Sequence, residues 1–415
     1  MTEYDAIVVG ARVAGSPTAM LLARKGYRVL MVDRATFPSD TMSTHLIHAP
    51  GMAALQQWGL AERLIATGCP PVPTYSFDFG RFTLAGKPRV APGAPYAYAP
   101  RRIVLDNLLV EAAGQAGAEV RQAFSAETLI IEEGVVRGIR GHSKDGASIT
   151  ERARVVVGAD GVNSVVARTV HAPKYNEVPA AEALYYSYWS DMTTEGELQF
   201  VLRDDRALAA LPTHDDLTCV LVAWPIQEFE TNKSDVERTY LKAFQCDPRF
   251  AERIGHATRQ SRIVGTHMHN FYRRPYGPGW ALVGDAGYHK DACTAQGITD
   301  AFRDAALLAD ALDAALSGGR PYDEALASYH ETRDAVTRAM FELTSQFASF
   351  EPLPPEMEEL LSALHANAQG AEDFVSAFAG TMPVEDFFDP TNVARYLADA
   401  GDGAVAAETD RAGIT

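Results

Sequence analysis

The chain has 415 residues, which is more than one ordinary domain contains, so we expect at least two lobes. Hydrophobic residues make up 47% and charged residues 22% of the chain, values typical of a globular protein, and no apolar run is long enough to span a membrane. The formal net charge of −17 disfavours nucleic acid and anionic membranes as partners.

The first 33 residues have the pattern of a strand, a glycine turn, a helix and a second strand. An apolar run at 4–9 precedes "GARVAGS", helical spacing follows as far as Gly26, and "YRVLMVD" ends at Asp33. A unit of this kind, about 30 residues long, is typical of dinucleotide-binding folds. The chain starts with acidic residues and lacks the basic start and long apolar core of a signal peptide, so we expect a cytoplasmic protein.

The glycine turn departs from the usual G-x-G-x-x-G pattern at its middle position. Gly10 and Gly15 keep the outer positions, Ala14 precedes the last one, and Arg12 replaces the central glycine. If the arginine side chain points away from the loop, it adds a guanidinium beside a pyrophosphate held at the helix N-terminus. The alternative is that Arg12 makes a surface salt bridge and the loop binds nothing.

Asp33 follows the second predicted strand, together with Arg34. An acidic side chain in this place accepts hydrogen bonds from both ribose hydroxyls of an adenosine, and we include both residues in the predicted cofactor site. A helix cap or a solvated turn would account for a single Asp equally well.

The rest of the chain alternates between two patterns. Buried runs such as "ARVVVGADG" and "WALVGDAG", and the helix "RRIVLDNLLVEAAGQ", belong with the first lobe, whereas alternating polar and apolar stretches predict antiparallel strands. We therefore predict a discontinuous cofactor-binding domain, a substrate-binding domain and a helical C-terminus with a disordered acidic tail, "ETDRAGIT". The cofactor-binding domain covers 1–73, 100–171 and 264–335. The substrate-binding domain covers 74–99 and 172–263, and the helical C-terminus covers 336–415.

Two further motifs identify the cofactor, namely "VVGADGVNS" at 156–164 and "WALVGDAGYHKDACTAQGITDAFRDA" at 280–305. With the glycine turn, they resemble the FAD-dependent monooxygenases of the para-hydroxybenzoate hydroxylase type and the related geranylgeranyl reductase and flavin halogenase branches. The resemblance covers roughly residues 1–335, and parts of this superfamily carry an arginine in the glycine loop. It implies an α/β fold with a Rossmann-like FAD-binding domain, a mixed antiparallel-sheet substrate domain and C-terminal helices.

The resemblance assigns roles around the flavin. Asp285 would hydrogen-bond the ribityl chain of FAD, after Gly284 has let the backbone come close. The helix that starts near Gln296, Gly297 and Ile298 would direct its positive N-terminal dipole at the N1 and O2 edge of the flavin, which favours the anionic reduced form. The alternative for Gly297 is a glycine needed only for tight packing.

Two more positions match the family pattern, and each also has an alternative interpretation. Asp160 would shape the pyrophosphate region and the approach of a nicotinamide cofactor, although Asp160 or Ser164 also fits a helix cap. Arg102 would contact FAD from the start of its helix, and its neighbour Arg101 fits the same role.

The sequence departs from the family in two places. Ala292 stands where most relatives have a proline that lines the isoalloxazine. Where hydroxylases often have an arginine, the stretch "DTMSTHLIHAPG" places Ser43, Thr44, His45 and His48 at the flavin instead. His45 or His48 is a candidate proton donor, and each also fits a structural hydrogen-bonding role.

The predicted strand "LYYSYWSD" would face the substrate. The period of two puts Tyr186 and Tyr188 on one face and Tyr185 and Trp189 on the other. We include Tyr186, Tyr188 and Trp189 among the substrate-contacting candidates, because an aromatic wall suits a hydrophobic ligand. Ordinary packing between sheet and helices would use the same residues.

The resemblance implies an FAD-dependent monooxygenase that uses O₂ to hydroxylate or epoxidise a hydrophobic, aromatic or polyketide-like small molecule of secondary metabolism, such as antibiotic biosynthesis, through a flavin C4a-hydroperoxide. No second glycine loop is present, so NADPH or NADH would dock transiently, or a flavin reductase partner would supply electrons. No spacing predicts a metal site.

Two alternative functions stay open, a geranylgeranyl reductase-like ene-reductase or dehydrogenase and a flavin-bearing binding protein without turnover. A halogenase is disfavoured, since "LVAWPI" lacks the W-x-W-x-I-P pattern and no lysine follows the second strand.

Overall fold

The structure is a computed structural model that describes residues 3–267 and 269–398, so the predicted acidic tail lies outside the described residues. The first half of the chain forms the strands β1 (Tyr4–Val9), β2 (Val29–Val32), β3 (Pro71–Val72), β4 (Thr74–Asp78), β5 (Thr83–Gly86), β6 (Ala97–Tyr98), β7 (Glu119–Arg121), β8 (Phe124–Glu132), β9 (Val135–Ser143) and β10 (Ser148–Gly158). The later strands are β11 (Lys174–Val178), β12 (Glu182–Ser190), β13 (Glu197–Arg203), β14 (Arg206–Pro212), β15 (Thr218–Pro225), β16 (Thr258–Arg259), β17 (Val264–Thr266), β18 (Asn270–Arg273), β19 (Tyr276–Gly277), β20 (Trp280–Leu282) and β21 (Tyr288–His289).

The helices are distributed between these strands and after them. They are α1 (Gly15–Arg24), α2 (Ala49–Gln57), α3 (Ala61–Ile65), α4 (Arg102–Gln115), α5 (Val165–Thr169), α6 (Phe229–Asn232), α7 (Val236–Ala243), α8 (Pro248–His256), α9 (Gly297–Leu316), α10 (Tyr322–Ala348), α11 (Pro355–His365), α12 (Ala368–Phe378) and α13 (Val384–Phe387), and residues 390–398 are helical as well. In the part of the chain that the structure describes, no helix is both long and apolar enough to cross a membrane.

The first sheet has the strand order β19-β20-β10-β1-β2-β7, in which β20, β10, β1, β2 and β7 run parallel. β1 and β2 are almost wholly buried, as expected of parallel strands covered on both faces. Helices α1, α4 and α9 pack together on one face of this sheet and supply much of its core. The Rossmann-like α/β fold that the sequence predicted is therefore confirmed.

The second sheet contains β12, β15, β14, β13, β4 and β5 in that order, with β16 and β17 both paired to β12. All its pairs are antiparallel except that of β4 with β13. One face packs against α7 and α8, and the other packs against α11 and α12. The sheet is thus sandwiched between helices, which gives it two separate apolar cores.

Three details differ from the sequence predictions. Strand β14 was missed, because "RALAALP" is rich in alanine and leucine and lacks the β-branched residues that mark strands. Residues 264–266 had been placed with the cofactor domain, but β17 pairs with β12 of the second sheet. The predicted boundary at 335/336 falls inside α10, which is continuous from Tyr322 to Ala348.

Candidate functional site

A cavity of about 710 Å³ lies at the carboxyl ends of the parallel strands. Gly10 follows β1, Asp33 follows β2, Asp160 follows β10 and Gly284 follows β20, and all four residues line the cavity. The carboxyl edge of a parallel sheet is where ligands bind in such folds, and the volume is in the range of small-molecule sites. The structure therefore brings the four sequence motifs to one place.

The glycines of the first loop are required by close backbone contacts. Gly10 has a φ of +103°, and a Cβ there would lie 2.4 Å from the carbonyl oxygen of Ala159. A Cβ on Gly15 would lie 1.8 Å from the carbonyl oxygen of Gly10. A Cβ on Gly284, whose φ is +60°, would lie 2.7 Å from the Cβ of Ala14. The loops after β1, β10 and β20 thus pack against one another at the base of the cavity.

Arg12 is held by a buried carboxylate of α4. Its Nη1 donates to Asp106 Oδ2 over 2.5 Å, and Arg102 donates to both oxygens of Asp106 over 3.0 and 3.1 Å. Asp106 is fully buried, whereas both arginines line the cavity. Arg101 instead pairs with Asp215, so the start of α4 presents Arg102 to the cavity. The side chain of Arg12 thus points away from the glycine loop, toward Asp106 and Ser39.

Asp33 connects the glycine loop to the end of β2. Its Oδ2 accepts a hydrogen bond from the Ala11 amide over 2.8 Å, and its Oδ1 accepts one from the Ala35 amide over 2.7 Å. Arg34 beside it is exposed and lines the same cavity. Each carboxylate oxygen can accept a second hydrogen bond, so Asp33 remains able to bind hydroxyl groups.

The N-terminus of α9 opens on the cavity, where Gly297 and Ile298 line it. A Cβ on Gly297 would meet no atom of the described chain within 4 Å, so tight packing does not explain this glycine. A ligand that comes close to the helix N-terminus would explain it, and the helix dipole favours negative charge there. Gln296 differs from its predicted place at the cofactor, because its side chain donates to the Phe378 carbonyl over 2.7 Å and does not line the cavity.

Two acidic residues complete the polar lining. Asp160 Oδ2 accepts from the Val165 amide over 2.6 Å, while its Oδ1 is buried and has no partner in the described chain. Burial raises the pKa of Asp160. Ser164 caps α5 by accepting from the Ala167 amide over 3.0 Å. Asp285 is exposed toward the cavity. The cavity therefore offers the unpaired Oδ1 of Asp160, the open space at Gly297, and the cations Arg12 and Arg102 beside a helix N-terminus. These groups fit the pyrophosphate and polyol groups of FAD.

A charged cluster lies where α9 meets the loop after β21. Lys290 pairs with Asp300, and Arg303 pairs with Asp300 over 2.6 Å and with Asp304 over 2.7 Å. Burial tends to raise the pKa of Asp300, but Lys290 and Arg303 outweigh it and the pKa is lowered. Lys290, Asp300 and Asp304 line the cavity, and sequence reasoning missed them because no motif distinguishes them from a solvated helix face.

The two histidines differ in how their rings are bound. His48 is buried and both of its nitrogens are used, with Nδ1 2.8 Å from the Tyr75 hydroxyl and Nε2 3.0 Å from the Thr294 carbonyl oxygen. The carbonyl can only accept, so Nε2 carries the proton and Nδ1 accepts from the tyrosine. Burial lowers the pKa of His48 to about 4. His48 therefore links α2 to the 292–296 loop and is a structural residue, contrary to its prediction as a proton donor.

His45 has one unused nitrogen. Its Nε2 lies 2.5 Å from the Tyr188 hydroxyl, and its Nδ1 is buried without a partner among the described residues. Burial, with Arg102 nearby, lowers the pKa of His45 to about 3. The ring is neutral at pH 7, so His45 can supply only the proton of a neutral imidazole. Thr44, next to it, lines the cavity.

The faces of β12 alternate as the period of two predicts. Tyr186 and Tyr188 lie on the inner face with His45, and Tyr185 and Trp189 lie on the outer face. Trp189 donates to the Tyr240 hydroxyl over 3.1 Å beneath the sheet. The inclusion of Trp189 among the substrate candidates is therefore wrong, because an odd-numbered residue of this strand faces α7 and α8.

A second pocket, of about 70 Å³, lies between the inner face of the second sheet and the C-terminal helices. It shares Thr44, Ala292 and Ala295 with the large cavity, so the two spaces adjoin. Its walls are mostly apolar; they include Leu46, Phe77, Glu182, Leu184, Leu198, Phe200, Leu202, Leu211, Leu221, Cys293, Phe347, Phe350 and Phe378. Sequence reasoning missed Glu182 and the three C-terminal phenylalanines, because only the packing of α10 and α12 brings the distant C-terminus here.

Several known proteins are similar to this chain in sequence or in fold. Rifampicin monooxygenase from Streptomyces venezuelae is 28% identical over 382 residues, which cover 87% of this chain and 75% of that protein. Digeranylgeranylglycerophospholipid reductase from Methanocella arvoryzae is 28% identical over 347 residues, 82% of this chain and 85% of that protein. A solved flavoprotein/dehydrogenase from Cytophaga hutchinsonii shares the fold with a TM-score of 0.83 at 16% identity, covering 97% of this chain and 100% of that one.

The pattern of the FAD binding domain family matches residues 3–344, which is most of the chain. The predicted FAD cofactor and the predicted resemblance are thereby confirmed. The protein belongs to the FAD binding domain family, within the superfamily of group A flavin monooxygenases that also includes the geranylgeranyl reductases.

Proposed function

We propose that this FAD-dependent oxidoreductase is a monooxygenase that transfers one oxygen atom from O₂ to a compact hydrophobic molecule, with NADPH or NADH as the reductant. The observation that carries the proposal is the apolar pocket that adjoins the large cavity at Thr44, Ala292 and Ala295. Oxygen transfer needs a substrate held next to the flavin in a site from which water is excluded.

The large cavity holds the cofactor in this proposal. Asp33 binds the adenosine ribose, Arg12 and Arg102 lie beside the pyrophosphate, and Asp285 binds the ribityl hydroxyls. The amides at the start of α9 stabilise negative charge on the flavin edge. Bound FAD, once reduced, supplies the electrons that activate O₂.

The protein's own contribution is to orient the substrate and exclude water. The C-terminal residues Phe347, Phe350 and Phe378 close the pocket on the side opposite the sheet. A pocket of about 70 Å³ is smaller than the roughly 150 Å³ cavity known to take benzene, so an aromatic ring must displace lining side chains or extend toward the cavity. A compact ring system that extends from the pocket toward the large cavity is the substrate class proposed for this site.

The experiment that tests the function follows the oxygen atom. Phenols and small polycyclic compounds are screened for acceleration of flavin reduction by NADPH, and a hit is turned over under ¹⁸O₂. We expect one labelled oxygen atom in the product by mass spectrometry, and no product when the same mixture is kept anaerobic. Steady substrate-dependent NADPH oxidation would also exclude a binding protein without turnover.

Ene-reduction is the second candidate, and the similarity to the Methanocella arvoryzae reductase over 82% of this chain favours it. That reaction needs no O₂ and adds two hydrogen atoms to a carbon–carbon double bond. An unlabelled product two hydrogens heavier, formed anaerobically, would replace the monooxygenase proposal with this one.

The ribose-binding role of Asp33 gives a separate prediction. Asp33→Ala removes the acceptor for the ribose hydroxyls, and hydrogen bonds to a charged group contribute roughly 1.5–3 kcal/mol, so FAD affinity should fall about ten- to a hundred-fold. The FAD affinity is measured by titrating the apoprotein with FAD and following flavin fluorescence. Asp145→Ala removes an exposed carboxylate far from the motifs and serves as the control. Equal affinities in the two variants would place the adenosine elsewhere.

A further inference from the structure

Glu182 is a buried carboxyl group in the wall of the apolar pocket. It is the first residue of β12 and shares the inner face of that strand with Leu184 and Tyr186. The residue is 3% exposed, and its Oε1 has no hydrogen-bond partner anywhere in residues 3–267 and 269–398. Buried polar atoms are nearly always paired in folded proteins, so this oxygen calls for a partner that is not part of the chain.

The other groups around Glu182 show which form of the carboxyl is present. The nearby backbone amides of Ala292 and Cys293 favour the charged form, whereas Asp291 is a like charge that disfavours it. Burial, with the like charge of Asp291 second, raises the pKa of Glu182. The raised pKa favours the protonated carboxyl, which is a hydrogen-bond donor as well as an acceptor.

The titratable groups facing Glu182 come from one loop. They are Asp291 and Cys293, and burial raises the pKa of each. Asp291 is held by Asn270 of β18, which donates to its Oδ2 over 2.7 Å. His269 and His289 act on Asp291 electrostatically and tend to lower its pKa. Glu182 forms no ion pair with a cation of the described residues, so a ligand bound in the apolar pocket is a partner that its Oε1 can take.

We propose that Glu182 recognises the substrate by donating a hydrogen bond from its neutral carboxyl group to a hydroxyl or carbonyl oxygen, which makes uncharged phenols and ketones preferred over hydrocarbons of the same shape. This proposal rests on the proposed function, since it places the substrate in the apolar pocket. The rest of the pocket wall offers the ligand mainly apolar contact, with Thr44 at the junction to the cavity. One polar contact in an apolar site orients a ligand and discriminates against analogues that lack its partner.

The test compares phenol with toluene, which has nearly the same shape but no oxygen. Each is titrated into the FAD-loaded, oxidised enzyme and followed by the change in flavin absorbance. We expect wild type to bind phenol about tenfold more tightly than toluene, the change expected from one hydrogen bond with a strong donor. In Glu182→Leu the preference should vanish, with phenol weakened about tenfold and toluene unchanged.

Glu182→Gln is the matched control, because a glutamine amide keeps the shape of a neutral carboxyl and can still donate. We expect this variant to bind phenol within about twofold of wild type at pH 7. Equal phenol preference in wild type and Glu182→Leu would overturn the proposal, as would a loss of preference in Glu182→Gln when its toluene affinity is unchanged.

The pH dependence separates recognition from a packing role. Deprotonation removes the donor, so the affinity of wild type for cyclohexanone, a ketone that can only accept a hydrogen bond, should fall as pH rises from 7 to 9, while that of Glu182→Gln stays constant. A constant cyclohexanone affinity in wild type over this range would contradict the proposal. None of these binding measurements depends on turnover, so a negative result with ¹⁸O₂ would overturn the monooxygenase assignment without deciding the role of Glu182.

Discussion

Replacing Gly297 by valine should weaken FAD binding by about a hundred-fold while the apoprotein remains folded. Gly297 is the first residue of α9 and lines the large cavity, and a Cβ there meets no atom of the described protein within 4 Å. The apoprotein therefore has room for a side chain, whereas a cofactor held against the helix N-terminus does not. Overpacking of this kind costs roughly 1–3 kcal/mol, and loss of the close approach to the N-terminal amides adds to it.

Flavin fluorescence during titration of the apoprotein with FAD measures this effect, and circular dichroism measures the fold. Gly255→Val is the matched control, because Gly255 also lies in a helix with open space at its Cβ, in α8 and away from the cavity. We expect the control to bind FAD like wild type. If Gly297→Val binds FAD as tightly as wild type does, the flavin does not approach α9 and the arrangement proposed for the cofactor is wrong.

Replacing Asp106 by alanine should lower the free energy of unfolding of the apoprotein by about 3–5 kcal/mol, the usual cost of removing one partner of a buried ion pair. Asp106 is fully buried and is the ion-pair partner of both Arg12 and Arg102, so its loss leaves two guanidinium groups close together without their shared carboxylate. Urea unfolding of the apoprotein, followed by circular dichroism, gives the value.

Asp310→Ala is the comparison for Asp106→Ala. Asp310 pairs with Lys25 on the surface and its side chain is 75% exposed, so its loss should change stability by less than about 1 kcal/mol. Excess FAD should restore part of the stability of Asp106→Ala, because a pyrophosphate beside the two arginines replaces the missing negative charge. Equal stabilities for the Asp106 and Asp310 variants would show that Arg12 and Arg102 do not depend on the buried carboxylate.

The sequence predicted the Rossmann-like part of the fold because its signals are local. Buried runs, a glycine turn and helical spacing follow one another within about 30 residues, and each is readable without knowing what packs against it. The motifs at Gly10, Asp160 and Gly284 all come directly after parallel strands, so sheet topology alone brings them to one edge. FAD binding followed from the resemblance of these motifs to a known family.

The second sheet was predicted less well, since its strands depend on their neighbours. β14 has few strand-forming residues of its own and is held between β13 and β15, while β17 is recognisable only from its pairing with β12. β-propensity reflects such packing more than it reflects backbone preference, so a single sequence reports it weakly.

What the sequence by itself determined was the class of fold, the cofactor and the edge of the sheet where the cofactor belongs. Only the tertiary structure decided the partner of Arg12, the outward direction of Trp189, the two hydrogen bonds that occupy His48, and the place of Glu182 beneath the C-terminal helices. Asp106 lies 94 residues from Arg12, and Thr294 lies 246 residues from His48. Local periodicity reports which residues are buried, but contacts between such distant segments arise from packing alone.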